Sequence, residues 1–322
     1  MDHGTVLVTG CAGFIGSHTT DRLLESGRKV VGADDLSTGE PVNLQSSLKH
    51  PDFTFVECDL TIENCVDRMF DKYCPEIVVH LAGLVDVKAA EEDPLRNQKL
   101  NVAMTAMIAQ SAVRHEVRRL VFASSAAVYG DSPRKFITEQ SDTRPIGNYG
   151  RSKLECERML KEIAGGSPIE VVSLRYFNVF GRRQSPRSPY AGVLSVFLEQ
   201  FRTGRAATVF GDGFQTRDFV AVEDVSLANS LAVNKSGLKC LTANICTGRS
   251  HSLLDVLEIL RRCFPRAPEP EFYPAQDKDI RHSCGDPRIA AKALGFRPTI
   301  SLEQGLMALA ESRESLSSVI AQ

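Results

Sequence analysis

The sequence lacks a charge surplus of either sign: 38 basic and 40 acidic residues leave a formal net charge of −2. Without a basic excess or a polybasic run it carries no footprint for nucleic acid or for an anionic membrane surface. It also lacks any apolar run approaching the ~20 residues that a membrane span needs. The opening Met1-Asp2-His3-Gly4 has neither the basic start nor the apolar core of a secretory signal, so a cytoplasmic location is expected. None of the nine cysteines is spaced C-x-x-C, their count is odd, and no zinc pattern exists. Cys11, Cys58 and Cys246 sit in apolar or strand-like surroundings, which suits buried free thiols in a reducing compartment. No internal repeat or low-complexity tract is present. What is there is the composition of a soluble globular protein, 43% hydrophobic and 24% charged, and 322 residues suffice for one large or two modest domains.

The chain turns on Thr5-Val6-Leu7-Val8-Thr9-Gly10-Cys11-Ala12-Gly13-Phe14-Ile15-Gly16. A run rich in β-branched residues leads into three glycines spaced three apart, and an apolar-periodic segment follows. This reads as strand, tight turn and helix. Such a turn brings backbone close to a ligand, and the helix that opens offers unpaired N–H groups and a positive dipole end to a pyrophosphate. The spacing G-x-x-G-x-x-G differs from the G-x-G-x-x-G fingerprint, but its mechanics are the same. Strands are then expected at 29–34, 53–59, 76–83, 120–125 and 169–175, alternating with helices at 62–72, 94–114 and 149–163. That alternation implies an α/β, Rossmann-type doubly wound parallel sheet, whose ligands lie beyond the carboxyl ends of the strands. Asp34, Asp59, His80 to Gly83 and Ser124-Ser125 all fall at those ends. The second half is more broken, with a loop at 181–192, a helix at 193–203, short strands at 208–210, 219–222 and 243–246, and a helix at 253–263. A Pro-rich stretch at 265–274 reads as linker or extended strand.

Asp34 lies ~20 residues past the glycines, where a carboxylate accepts bonds from both ribose hydroxyls of an adenosine and repels a 2′-phosphate. NAD is therefore expected over NADP, with Asp35 following and Asp59 at the adenine. Tyr149 and Lys153 stand four apart at the start of a helix and share one face. A lysine beside the phenol, with a nicotinamide cation near, favours the phenolate over its ordinary value of ~10 and makes Tyr149 a usable base. Ser125 ends a strand and is placed to bond the same substrate oxygen.

Together these residues resemble a known family. The set is Gly10-x-x-Gly13-x-x-Gly16, Asp34, Asp59, Leu81-Ala82-Gly83, Ser124-Ser125, Tyr129-Gly130, Tyr149-x-x-x-Lys153 and Arg175-Tyr176-Phe177-Asn178-Val179-Phe180-Gly181. In order and spacing it is similar to the extended short-chain dehydrogenases, in particular the NAD-dependent nucleotide-sugar epimerases and dehydratases. The stretches from Gly211 to Phe219 and from Asp279 to Ser283 extend the likeness over nearly the whole chain. Arg175 to Gln184 and Tyr190 to Val193 look most like UDP-N-acetylglucosamine 4-epimerases.

The resemblance implies a catalytic set of Ser125, Tyr149 and Lys153. It implies NAD contacts at Gly10, Gly13, Phe14, Ile15 and Gly16, at Asp34, Asp35, Leu36 and Ser37, and at Asp59 and Leu60. Leu81, Ala82, Gly83, Asn101, Tyr149, Lys153, Tyr176 and Phe177 complete the cofactor set. Substrate contacts are implied at Asp86, Ser125, Asn178, Val193, Thr208, Val209, Phe210, Arg217, Gln276 and Asp279, with Arg217 clamping a UDP-type diphosphate by its rigid fork of donors. Dehydratases of the family carry an Asp-Glu pair after the serine, and decarboxylases usually a glutamate. Ala126 and Ala127 stand there and have no proton to give, which leaves reversible oxidation at sugar C4.

Two departures stand out. Gln276 replaces the family's second diphosphate arginine, with Lys278 nearby, and Asp86 replaces a small hydroxyl residue and is a rival base. Three readings stay open: a UDP-sugar 4-epimerase of the glucose/galactose or the N-acetyl type, another nucleotide-sugar enzyme on the same scaffold, and a non-catalytic NAD sensor. The expected division is an NAD-binding domain over 1–175 with returning segments near 214–250, and a substrate domain from 176–213 and 251–322. In the family, helices matching 94–114 and 149–163 pair across a two-fold axis. Leu95, Leu100, Met104, Met107, Ile108, Leu154, Met159 and Ile163 would supply the apolar faces, so a homodimer is expected.

Overall fold

The computed structural model describes residues 4–132, 134–184, 192–275 and 280–312. The first strand, β1 (Val6–Thr9), passes through the glycine turn into α1 (Phe14–Glu25). Then come β2 (Val30–Asp34), β3 (Phe53–Glu57), α2 (Glu63–Tyr73) and β4 (Ile77–His80). A short α3 (Val87–Glu92) and α4 (Pro94–Asn97) run through a π-helical turn, Gln98–Ala103, into α5 (Met104–Arg114). The first half closes with β5 (Arg119–Ser125), α6 (Asn148–Gly166) and β6 (Glu170–Tyr176). The second half holds β7 (Asn178–Phe180), α7 (Val193–Arg202), β8 (Thr208–Phe210), β9 (Thr216–Arg217), β10 (Phe219–Ala221), α8 (Val222–Asn234) and β11 (Cys240–Ile245). It ends with β12 (His251–Ser252), α9 (Leu253–Cys263), β13 (Glu271–Tyr273), α10 (Arg288–Leu294) and α11 (Leu302–Glu311).

Seven strands form one sheet in the order β3-β2-β1-β4-β5-β6-β11, every neighbouring pair parallel. The order reverses between β1 and β4, which opens a crevice at the strands' carboxyl ends. Side-chain alternation sends the two faces of β1 to different cores. Val6 and Val8 join α1 and α8 through Leu23, Leu24, Val225 and Ala228. Leu7 joins α2, α5 and α6 through Phe70, Ile108 and Leu160. Each such fully buried Val, Leu, Ile or Phe side chain contributes roughly 1.5–3 kcal/mol. A third core, around Phe197, Phe201, Val209, Leu257 and Leu306, is built apart from the sheet by the β8–β13 pair and α7, α9 and α11.

One expected boundary is corrected. The strand expected at 219–222 ends at Ala221, and Val222 starts α8. That helix carries no amphipathic stripe because it is buried nearly all round, from Val222 and Asp224 to Ala232 and Val233. The stretch expected as helix at 94–114 is helical throughout, with a π-helical turn at Gln98–Ala103 inside it. The apolar residues assigned to a partner on α5 and α6 largely serve the chain's own cores: Met104, Ile108 and Leu154 are buried, and Met107, Met159 and Ile163 pack against the same core as α5. Leu95 alone among the eight stays largely exposed, at 85%. The Pro-rich stretch closes as a strand, with β13 pairing parallel to β8.

Candidate active site

A cavity of about 530 Å³ opens at the carboxyl ends of β1, β2, β4, β5 and β6, within the size range of cofactor sites. Its floor is the glycine turn. Gly10 has φ +69, and a Cβ there would meet the Ala82 nitrogen at 2.8 Å. A Cβ on Gly16 would lie 1.9 Å from the Gly10 carbonyl oxygen, so the turn and the start of α1 close only on glycine. No side chain caps the N-terminus of α1, which leaves its first N–H groups for an anion.

Asp34 ends β2 at the cavity wall. Its Oδ2 accepts from Ala12 N and its Oδ1 from Leu36 N, both at 2.9 Å. Burial pushes its carboxyl up from the usual carboxylate value, and the two N–H bonds hold it back. Two bonds leave acceptor capacity for a ribose diol. The uncapped helix, the glycine floor and this carboxylate together fit a dinucleotide.

Ser125, Tyr149 and Lys153 all line the same cavity, from the end of β5 and the first turns of α6. Ser125 Oγ accepts from Ala127 N at 3.1 Å, so its own proton points elsewhere, and Tyr149 is the hydrogen-bond partner it serves. Lys153 is 4% exposed, with Nζ 5.0 Å from the Phe122 ring centre and 5.9 Å from that of Tyr149. Burial pushes the Tyr149 phenol up from 10, opposed by the Ser125 bond, and pulls the Lys153 ammonium down. In the chain by itself burial therefore holds the phenol up against the Ser125 hydrogen bond.

Behind the wall, His80 bridges Thr9 Oγ1 (2.8 Å) and Thr105 Oγ1 (3.0 Å). Thr105 spends its proton on Asn101 O at 2.5 Å, and Thr9 Oγ1 accepts from Leu81 N and Ala82 N. These donors and acceptors fix the neutral Nε2–H form of His80, and burial with the Lys153 charge drops its value to about 3. The chain ties the π-helical turn to β1. Asn101, expected at the cofactor, lies one layer back. Its Nδ2 donates to Leu84 O (3.0 Å) and Asn97 Oδ1 (2.7 Å), so it holds the 83–84 segment that does line the cavity.

The structure brings most other expected residues to the cavity: Gly13, Phe14, Ile15, Asp35, Ser37, Asp59, Leu60, Leu81, Ala82, Gly83, Tyr176, Phe177, Asn178 and Val193. Leu36, Asp86, Thr208, Val209, Phe210 and Arg217 are not in its wall. Asp86 is corrected as a rival base: it is 6% exposed and caps α3, accepting Lys88 N at 2.6 Å. Val209 is wholly buried in the third core, so its side chain has no face for a base, and Phe210 points to solvent beside Tyr273. Arg217 donates to Thr216 O at 2.9 Å within its own strand. Leu36 turns through φ +57 and packs on the sheet core. Gln276 and Asp279, like Lys278 and Tyr190, lie outside the described residues. Sequence reasoning gave no role to Arg96, Arg183 and Gln184, which also line the cavity. Arg183 is held by Asp21 at 2.8 Å. The paired arginines after Gly181 are the signal that marks it.

The model of a family described as the NAD dependent epimerase/dehydratase family matches residues 6–246. The chain belongs to this family. It is 35% identical over 301 residues to a UDP-glucose 4-epimerase of Mycolicibacterium smegmatis, covering 93% of this chain and 95% of that one. Among solved structures it is similar to the UDP-glucose 4-epimerase of Thermotoga maritima with UDP-glucose, at TM-score 0.90 and 34% identity, covering 95% of this chain and 97% of that one. It is equally similar in fold to the UDP-N-acetylglucosamine 4-epimerase of Methanobrevibacter ruminantium in complex with UDP-N-acetylmuramic acid. There the TM-score is 0.90, the identity 30% and the coverage 96% and 98%. As a member, the chain is an NAD-dependent α/β protein of Rossmann type.

Proposed function

We propose that this chain is an NAD-dependent UDP-sugar 4-epimerase working through a 4-keto sugar. One observation carries the reading: Ser125, Tyr149 and Lys153 share a cavity with the glycine turn and Asp34, while the residues after Ser125 are alanines. The turn and α1 would hold the diphosphate of NAD, Asp34 would take its adenosine ribose, and Tyr176 and Phe177 line the cavity where the nicotinamide would lie. When bound, NAD supplies a hydride acceptor and donor at sugar C4.

Tyr149 takes the 4-hydroxyl proton and later returns it. Ser125, anchored by the bond its Oγ accepts from Ala127 N, turns its proton from Tyr149 to the same sugar oxygen when substrate binds and orients it. The Lys153 charge favours the phenolate and offsets the burial that opposes it. Tyr176 cannot compete as a base, because its hydroxyl donates to Asn229 Oδ1 at 2.6 Å and burial pushes it well up. Asn178 and Val193 face the sugar side of the cavity. No acid stands at Ala126 or Ala127 to expel a hydroxyl, so the keto sugar turns over and is reduced on its other face.

The sugar nucleotides named for the two structural relatives, UDP-glucose and the N-acetyl type, are the first substrates to test. A homodimer built partly on Leu95, in a reducing cytoplasm that keeps all nine thiols free, completes the reading. The test is a panel of UDP-, dTDP-, GDP- and CDP-sugars followed by mass spectrometry and NMR. An epimer leaves mass unchanged, a dehydratase loses water, a decarboxylase loses carbon dioxide, and a sensor changes nothing.

A further inference from the structure

A buried polar chain lies behind the cavity wall and joins the three segments that carry the chemistry. Glu157 stands four residues beyond Lys153 on α6, on the same helix face. Its Oε1 accepts from Arg175 Nε at 2.8 Å and its Oε2 from Arg175 Nη2 at 2.6 Å. Ser124 Oγ donates to the same carboxylate. Ser124 immediately precedes Ser125 in β5, and Arg175 immediately precedes Tyr176 in β6. Arg175 Nη1 donates to Tyr129 Oη at 2.8 Å, and Tyr129 donates to Asn244 Oδ1 at 2.6 Å. Both charged side chains are 7% exposed.

A buried ion pair is poor support for stability, because desolvation consumes most of its attraction. The position of this one points to another role. Burial pulls the Lys153 ammonium down, and Cys156 and Glu157 pull it up. Burial also raises the Cys156 thiol, so at neutral pH it carries no charge. His80 on β4 is neutral, and burial raises both Tyr149 on α6 and Tyr176 on β6. Glu157 is therefore the anion that acts on Lys153, with Arg175 as its counter-charge.

We propose that Glu157 and Arg175 are positioning residues: the pair clamps β5 and β6, which carry Ser125 and Tyr176, to the helix that carries Tyr149 and Lys153, and Glu157 places a negative charge one turn from the Lys153 ammonium. The proposal rests on the functional reading of Tyr149 and Lys153 above. Glu157→Gln keeps the shape and removes the charge, leaving the Arg175 guanidinium without its carboxylate. With one negative charge gone and a positive one left uncompensated, the field favours the phenolate, so the acid limb of the kcat–pH profile moves to lower pH by about one unit, while KM for UDP-glucose changes less than about two-fold. Adding Arg175→Gln removes the second charge and brings the limb part of the way back. A purely structural pair predicts the opposite: kcat falls at every pH, the limb stays, and the double variant is worse than either single one.

A second readout is independent of turnover. The phenolate absorbance of Tyr149 is titrated in NAD-loaded protein without sugar, as the difference between each protein and its Tyr149→Phe counterpart. The Glu157→Gln titration is expected at lower pH than wild type. Identical titrations overturn the proposal. Absence of turnover in wild type overturns the functional reading instead, while the titration still reports on the pair. If Glu157→Gln fails to fold, Glu157→Asp keeps the charge on a shorter arm. It is expected to lower kcat and leave the limb in place, and a shifted limb in that variant refutes the charge argument.

Discussion

Replacing His80 by glutamine removes a titrating group from behind the cavity wall while leaving a neutral hydrogen-bonding side chain. His80 is 1% exposed, sits between two threonine hydroxyls, and has its proton affinity reduced from an ordinary 6.5 to about 3. The unfolded chain takes up a proton at this imidazole below about pH 6.5, and the folded chain does so only near pH 3. The stability that His80 contributes is thus fully present above the unfolded value and falls as the pH drops toward the folded one. Between about pH 7.5 and 5 the loss is about 2 kcal/mol, at ~1.36 kcal/mol per pH unit below 6.5. Urea unfolding of wild type and His80→Gln across that range isolates the effect, because all other groups titrate alike in both. The stability gap between the two proteins is expected to narrow by about 2 kcal/mol on acidification. A gap independent of pH, or an imidazole proton signal titrating near 6.5 in the folded protein, refutes the neutral buried histidine.

Tyr149→Phe keeps the ring and the cofactor contacts. Turnover is expected to fall by roughly 10²–10⁴-fold with NAD content unchanged, and Ser125→Ala to cost less. The combined variant is expected to lose less than the product of the two, as measured by single-variant rates and released NAD. The Asp34 carboxylate is expected to favour NAD over NADP by about tenfold or more, an effect of about 1.4 kcal/mol. Asp34→Ser should narrow that ratio in calorimetric titrations. Asp218 is fully buried and accepts Thr247 N (2.8 Å), Gly248 N (2.9 Å) and Gly285 N (3.2 Å), which pins the loop after β11 and the segment before α10 to the residue leading into β10. Asp218→Ala leaves these N–H groups unpaired and should lower unfolding stability by about 3 kcal/mol or more.

The parallel sheet was legible because each strand carries a short β-rich run that ends in a polar or small residue, and Gly10, Asp34, His80 and Ser125 mark one edge. Their meeting in one cavity follows from topology once the strands are parallel. What was not legible depends on surroundings. The helix from Val222 to Asn234 is buried on nearly every side and leaves no periodic stripe to read. Asp86 looked like spare chemistry, yet its carboxylate serves Lys88 N as a helix cap. Asn101, expected at the cofactor, sits in a π-helical turn and donates instead to Leu84 O behind the cavity wall. The Glu157–Arg175 pair joins residues from separate elements, and no local pattern announces it.

The account stands most directly on what the protein does to UDP-glucose. Incubated with the NAD-loaded protein and followed by NMR and mass spectrometry, UDP-glucose is expected to give a mixture with UDP-galactose, inverted at C4, unchanged in mass and without net consumption of NAD. A product that has lost water or carbon dioxide, net accumulation of reduced NAD, or an unchanged UDP-glucose and UDP-N-acetylglucosamine in the presence of bound NAD contradicts it.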